Sequence, residues 1–274
     1  MFNPTVSLRS HLAALSLSLA SLSAQAGPVL FVSDSTTDTS IATVLTGAGY
    51  TVTSLTNQYV SATGATTALL GSLGSYSAIF WSATGNGFGD QNNNAAMLAN
   101  LSSYVSGGGR IFVTGYDSIA SPDDAALQAF LGGSGSVDTC GIPGVISSTA
   151  NSLTSGVENI TGQTPGTGGN TCDRDGLTNL AGDTVGIVED TSNLGFYQWT
   201  LRSLGSGQIA YVSNGNGSFD FESTTWTDSN SVYNAAVLNF AANASQQSIP
   251  EPSSLLIVAL GLAGLAATRR KTVA

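Results

Sequence analysis

The first half of the chain alternates short, β-rich apolar runs with longer segments whose apolar residues recur at helical spacing. Four strands are predicted there, over residues 29–32, 50–55, 76–81 and 110–114. Four helices are predicted between and after them, over residues 39–49, 66–73, 95–105 and 123–131. Strands alternating with helices at this spacing predict an α/β fold with an open, mostly parallel sheet flanked by helices.

The regular alternation stops in a segment dense in Gly, Ser, Thr and Asn, which we interpret as an irregular insertion over residues 132–182. It returns afterwards, with strands predicted over residues 184–188, 195–201 and 208–212 and a helix over 231–242. The sequence therefore predicts one α/β domain over residues 27–243, followed by a polar linker over residues 244–249.

The N-terminus has the pattern of a secretory signal. Arg9 and His11 precede an apolar run over residues 12–22, and Ala24 and Ala26 are the small residues that signal peptidase requires. We expect residues 1–26 to form a signal peptide that signal peptidase removes. The alternative is a short buried helix, which fits less well because the run has no polar face.

The C-terminus has three parts in a fixed order. Pro250, Glu251 and Pro252 come first, an apolar run follows over residues 255–267, and Arg269, Arg270 and Lys271 come last. This order resembles the PEP-CTERM sorting signal of Gram-negative bacteria. The resemblance implies that residues 250–274 are recognised by an exosortase, a membrane-embedded transpeptidase that moves the body to the cell surface or the extracellular matrix.

The physical properties of this tail agree with a membrane role. A span over about residues 254–268 has its cations at the far end, and cations after an apolar helix stay on the cytoplasmic side, so the three would retain the tail. The apolar run covers only roughly 20 Å at 1.5 Å per residue, which is short for a bilayer. An ordinary C-terminal membrane anchor is the alternative reading, although it does not require the Pro-Glu-Pro motif.

The body also resembles a known family. The resemblance begins with three glycines, Gly107 to Gly109, and the strand that follows them. Together with the later strand over 208–212 this arrangement resembles the class I glutamine-amidotransferase-like, flavodoxin-like fold, which includes trehalose-utilisation-type domains. Catalytic members have a cysteine directly after the matching strand and a histidine later. Tyr116 and Asp117 occupy that turn here, and no histidine follows His11. The resemblance therefore implies the fold without the chemistry.

Composition excludes several functions for the body. Residues 27–250 contain sixteen of the seventeen acidic residues but only three basic ones, Arg110, Arg174 and Arg202. Such a surface repels phosphate backbones, so we expect no nucleic-acid partner. The absence of His and Lys from this part excludes Ser-His-Asp and Cys-His catalysis, Schiff-base chemistry and His-based zinc sites.

The two cysteines, Cys140 and Cys172, lie inside the predicted insertion. An exported chain enters an oxidising compartment, so we expect them to form a disulfide. Two free buried thiols are the alternative.

A candidate binding site follows from the predicted sheet. Ligands of open parallel sheets bind beyond the carboxyl ends of the strands, where Asp34, Asp117 and Asn214 would converge. Their oxygens suit a sugar or, more weakly, a calcium ion; no other cofactor is expected. The alternative is that each residue only caps a turn or a helix.

Three further groups of acidic residues are candidate sites. Asp173 with Asp175, and Glu189 with Asp190, could form an acid/base pair of the glycoside-hydrolase kind. Glu189 and Asp190 are adjacent, however, and adjacent residues on a strand point to opposite faces. Solvated loop acids fit both pairs better. A third group beside Trp226 consists of Asp220, Glu222 and Asp228, without EF-hand spacing. The tryptophans at 81, 199 and 226 are expected to pack in the core rather than stack on sugars.

Two hypotheses about function remain. The first is an exported surface or matrix protein without catalytic activity, associated with exopolysaccharide or the envelope. Its expected partners are signal peptidase, exosortase, exopolysaccharide and the membrane that holds its tail. The second is an exported hydrolase that uses carboxylates alone, acting on carbohydrate.

Overall fold

The computed structural model describes residues 27–33, 40–55, 68–82, 94–115, 119, 124–139, 143–165, 174–213 and 232–247. The predicted signal peptide, both cysteines and the sorting tail lie outside these residues. No helix within them is both long and apolar enough to cross a membrane.

Nine strands and four helices have their bounds within the described residues, and residues 68–70 are also helical. The strands are β1 (Val29–Ser33), β2 (Val52–Leu55), β3 (Ala78–Ser82), β4 (Arg110–Gly115), β5 (Gly135–Thr139), β6 (Arg174–Thr178), β7 (Thr184–Glu189), β8 (Tyr197–Leu204) and β9 (Gly207–Ser213). The helices are α1 (Ser40–Gly47), α2 (Ala95–Ser106), α3 (Ala125–Leu131) and α4 (Val232–Gln247).

All nine strands belong to one sheet with the order β2-β1-β3-β4-β9-β8-β6-β5, and β7 pairs with β8. The first five strands of this order are parallel. The strand order reverses at β1, since β2 lies on one side of it and β3 on the other, and the switch point of the sheet lies between β1 and β3. The remaining pairings are antiparallel. The α/β class is thus confirmed, but the sheet is mixed rather than mostly parallel.

The reason for this correction lies in connection length. Only Gly205 and Ser206 separate β8 from β9. Gly205 has a positive φ of 61°, which a tight turn of this kind favours. Parallel neighbours need a crossover of a dozen residues or more, so this connection forces an antiparallel hairpin.

Two predicted boundaries are also wrong. The segment 132–182 is not wholly irregular, because β5 and β6 lie within it and pair over five residues in the sheet. The polar linker predicted over residues 244–249 is largely helical, since α4 continues to Gln247. Ala244 explains part of this extension, because it is 2% exposed and belongs to the core.

Both faces of the parallel half are buried. On one face α1 and α4 cover a row of aromatic rings in which Phe80 and Phe112 each pack against Phe240 of α4, with ring centroids 6.2 and 5.8 Å apart. On the other face α2 and α3 cover a second apolar cluster that includes Trp81. Trp81 and Trp199 are fully buried, as predicted for core residues.

The segment 143–165 packs on the α4 side of the antiparallel half. Ile146, Leu153 and Ile160 bury their side chains in the same cluster as Trp199. Asn239 of α4, itself 0% exposed, fixes the segment with four hydrogen bonds. Its Oδ1 accepts from the amides of residues 157 and 158, and its Nδ2 donates to the carbonyls of residues 153 and 158.

Candidate functional site

A row of hydroxyl groups lies at the carboxyl ends of three adjacent parallel strands. Ser33, Ser82 and Thr114 are paired in register across β1, β3 and β4, and all three are buried. They lie on the face covered by α1 and α4, one row beyond the aromatic rings. We call this end of the sheet the carboxyl edge.

The topology shows which strands precede the three residues of the predicted binding site. Asp34 directly follows β1, Asp117 lies two residues after β4, and Asn214 directly follows β9. Since neighbouring strands are about 4.8 Å apart, β4 and β9 end side by side, whereas β1 is about 10 Å from β4. Asp34 follows the strand at the switch point. The three side chains themselves lie outside the described residues.

Further polar side chains lie at the same edge on the face covered by α2 and α3. Ser213 ends β9, and Gln198 lies on β8 next to the pair formed by Trp199 and Val212. Both are 1% exposed, and neither Ser213 Oγ nor Gln198 Nε2 has a hydrogen-bond partner among the described residues. The same holds for Thr114 Oγ1. Sequence reasoning missed these groups, although serine or threonine at the end of successive strands is a visible pattern.

The adjacent acids Glu189 and Asp190 hold a turn together. Asp190 Oδ1 accepts hydrogen bonds from the amides of Ser192 and Asn193, and Glu189 Oε1 accepts one from the amide of Gly195. Asp190 is 0% exposed, so the expectation of a solvated loop acid is wrong for this residue. Buried carboxylates of this kind are stabilised by the backbone amides they accept from.

Of the other acidic groups singled out in the sequence, only Asp175 lies among the described residues. Asp175 is 0% exposed, and its Oδ2 accepts a hydrogen bond from the amide of Ile119. Asp173 and the group of Asp220, Glu222 and Asp228 lie outside the described residues, as does Trp226. Among the residues that the structure describes, no three His, Cys, Asp or Glu side chains are grouped as a metal site would require.

Arg110, the first residue of β4, is 3% exposed. Its guanidinium carbon lies 4.6 Å from the ring centroid of Phe240, and its Nη2 donates to Gln208 Oε1. The ion pair found within the described ranges is a different one, between Arg202 and Asp183 at 3.0 Å. Burial lowers the pKa of Arg110 to about 10, because the charged form loses hydration.

A groove of about 690 Å³ lies at the opposite, amino end of the strands. It is lined by the segment that precedes β3, by the end of α2 with the glycines before β4, and by Ala244 of α4. Tyr76 and Tyr104 supply aromatic surface, and no lining residue is charged. Gly109 makes room for the Tyr104 ring, since a Cβ there would lie 2.4 Å from it. We call this feature the amino-edge groove.

Burial raises the pKa of Tyr104 to about 12, because the ionised phenolate would lose hydration. Its hydroxyl donates to the carbonyl of Tyr76 at 3.1 Å. This side chain therefore remains neutral at physiological pH.

Comparison with known proteins identifies the tail. Residues 248–271 match the PEP-CTERM protein-sorting motif. The match indicates an exported protein that an exosortase sorts to the cell surface. No curated protein matches the sequence.

Solved structures similar to the body are distant. Cytoplasmic protein STM1381 from Salmonella typhimurium LT2 is 13% identical, with a TM-score of 0.50 over 81% of this chain and 100% of the other. Cytoplasmic protein STM3548 from Salmonella typhimurium is 14% identical, with a TM-score of 0.48 over 78% and 97%. A putative ThuA-like protein from Bacteroides uniformis is 12% identical, with a TM-score of 0.43 over 79% and 97%. The first of these similarities supports an α/β fold.

Proposed function

We propose that the exported body is a non-catalytic protein of the cell surface or extracellular matrix that associates with neutral exopolysaccharide through the carboxyl edge. In this proposal its fold is a variant of the glutamine-amidotransferase-like, flavodoxin-like class that lacks the family's catalytic residues. Removal of residues 1–26 by signal peptidase and transient retention of the tail in the inner membrane belong to the same proposal. A disulfide between Cys140 and Cys172 is also part of the proposal.

The hydroxyl row is the observation that carries this proposal. Ser33, Ser82 and Thr114 lie in register at the ends of their strands, and in the sequence Asp34 directly follows Ser33 while Asp117 comes three residues after Thr114. Hydroxyls and side-chain oxygens at a switch point suit the hydroxyl groups of a sugar, which offer both donors and acceptors. The negative body charge favours a neutral polymer over an acidic one.

The described carboxylates support a non-catalytic role. Glu189 and Asp190 accept backbone hydrogen bonds that hold their own turn, and Asp175 accepts one from residue 119. A glycoside hydrolase needs two carboxyl groups that face each other across a cleft at about 5 to 10 Å. The hydrolase hypothesis would therefore have to rest on carboxyl groups other than these three. Weak calcium binding at Asp34 and Asp117 remains part of the proposal.

The test is binding of the exported protein to exopolysaccharide purified from its own host. The variant combines Asp34→Ala, Asp117→Ala and Asn214→Ala, and the control is Val157→Ala, at a surface residue that is 61% exposed. We expect the triple variant to be exported normally, to lose at least about tenfold in affinity, which corresponds to 1.4 kcal/mol, and to keep its melting temperature. Equal binding by both variants would remove the carboxyl edge from the proposal. Release of reducing sugar by the wild-type protein would favour the hydrolase.

A further inference from the structure

The position of α4 determines where the sorting tail leaves the body. Phe240 packs against the ring of Phe112 in the middle of β4 and against Arg110 at its start. One turn later, Ala244 lines the amino-edge groove. Helix α4 thus runs back along the sheet and ends at the amino edge, and the motif residue Pro250 follows only three residues after Gln247.

The groove offers the rings of two tyrosines, and several of its side-chain donors are already engaged within the body. Asn100 Nδ2 donates to the carbonyls of Leu69 and Gly71, and the hydroxyls of Ser77 and Ser103 donate to backbone carbonyls. The Tyr104 hydroxyl is also engaged as a donor. A sugar, which must exchange its water for protein hydrogen bonds, would find these side-chain donors already engaged. A ligand with apolar rings and few donors fits this lining better.

We propose that the Pro-Glu-Pro segment of the tail docks into the amino-edge groove of its own body. Proline-rich segments prefer an extended, polyproline II conformation and bind aromatic-lined grooves with little loss of conformational entropy. Pro250 and Pro252 have no amide N–H that would need a partner. The uncharged lining tolerates Glu251 in a body that is otherwise strongly acidic.

Because the motif is covalently linked to the body, even a weak contact between them would be populated. Residues 248–252 span about 15 Å at 3.1 Å per residue, and they begin four residues after Ala244, which itself lines the groove. A short linker gives an effective concentration of about 1 mM, so a contact with a Kd of about 0.1 mM would be formed for about nine-tenths of the time. Exosortase must then compete with the body for the motif, and sorting cleavage would vacate the groove. This inference rests on the matched sorting motif and not on the polysaccharide role.

The test measures how fast a thiol beside the motif reacts in the full-length protein, held in detergent micelles without exosortase. Ser253→Cys introduces the thiol, and peptide-resolved mass analysis separates its maleimide alkylation from that of Cys140 and Cys172. Tyr76→Ser removes one groove ring, Tyr76→Phe keeps it, and the pair Pro250→Ala with Pro252→Ala changes the tail. Thermal unfolding of each variant verifies that the body remains folded.

We expect alkylation to be about tenfold faster with Tyr76→Ser than with the wild-type groove and unchanged with Tyr76→Phe, as a tail docked for nine-tenths of the time would give. The double proline variant should be faster by the same factor without any change in melting temperature. Combining groove and motif changes should add nothing, because both remove one contact. Equal rates in all variants, or additive increases, would overturn the proposal.

Discussion

The parallel and antiparallel halves of the sheet are stabilised by different kinds of contact. Strands β1, β3, β4 and β9 bury apolar side chains on both faces against helices, as in the ring cluster of Phe80, Phe112 and Phe240. The antiparallel half also depends on side chains that bind backbone, such as Asn239 beneath the segment 143–165. The difference indicates that apolar packing alone organises the parallel half, while the antiparallel half adds specific hydrogen bonds to its buried apolar side chains.

The largest expected effect comes from the parallel half. Phe112→Ala should lower the free energy of unfolding by about 3–5 kcal/mol, because it leaves a cavity against two other rings. Urea denaturation measures the change, and Val157→Ala, at an exposed residue, should stay within about 0.5 kcal/mol. Similar losses for both variants would mean that the ring cluster does not organise this half.

The predicted disulfide is expected to stabilise the antiparallel half. Thr139 of β5 pairs with Arg174 of β6, so the chain next to Cys140 and close to Cys172 is held at one end of this strand pair. Replacing both cysteines by serine should cost about 3 to 4 kcal/mol in the chain-entropy account of a loop of this length. Non-reducing mass analysis should show the linked peptides. Two alkylatable thiols in the exported protein would contradict the prediction.

Asn239→Leu tests the hydrogen bonds that hold the segment 143–165 on α4. It removes four hydrogen bonds and leaves buried amides and carbonyls of the segment 143–165 without partners, which should cost about 2–4 kcal/mol. Hydrogen exchange should accelerate at the amides of Val157 and Glu158 before it does so in the parallel strands. Asn243→Ala, which removes a single bond to the segment, should cost about 1 kcal/mol. Uniform acceleration across both halves would mean that they unfold as one unit.

Arg110→Met should have the smallest effect, within about 1 kcal/mol at pH 7, because a buried charge contributes little net stability. Gln208 Oε1 would keep its hydrogen bond from the Ser152 hydroxyl at 2.9 Å. Burial lowers the pKa of Arg110 to about 10 in the folded protein, so the folded state releases this proton first as the pH rises. The wild type should therefore gain stability relative to the variant above pH 10. A relative loss there, measured by denaturation, would contradict this sign.

The contrast between the halves also explains what the sequence could predict. Strands β1, β3 and β4 are continuous apolar runs bounded by glycine or polar residues, and such runs are typical of strands buried on both faces. Strands β5 and β6 each carry one large apolar side chain, Val137 and Leu177, so no pattern separates them from loop. The role of Asn239 could not be predicted from the sequence either, because asparagine on a helix usually faces water.

The candidate site was predictable only in its position. Polar residues after successive strands identified the segments that leave the carboxyl edge, and the observed order places β4 and β9 side by side there. The hydroxyl row depends on register, which the sequence does not specify before the strand order is known. The amino-edge groove depends on the unexpected length of α4, since Ala244 was assigned to a linker.

The central claim is that the matched C-terminal motif directs sorting of this body. Replacing Pro250, Glu251 and Pro252 by alanine leaves the apolar run and the three terminal cations unchanged, so it separates a sorting signal from a plain anchor. Cell fractionation and peptide mapping in a host with an exosortase provide the measurement. The account predicts that the wild-type body loses its tail and appears beyond the inner membrane, while the triple variant stays full-length and membrane-bound. Identical fractionation of both proteins, each keeping the peptide after Ser254, would contradict it.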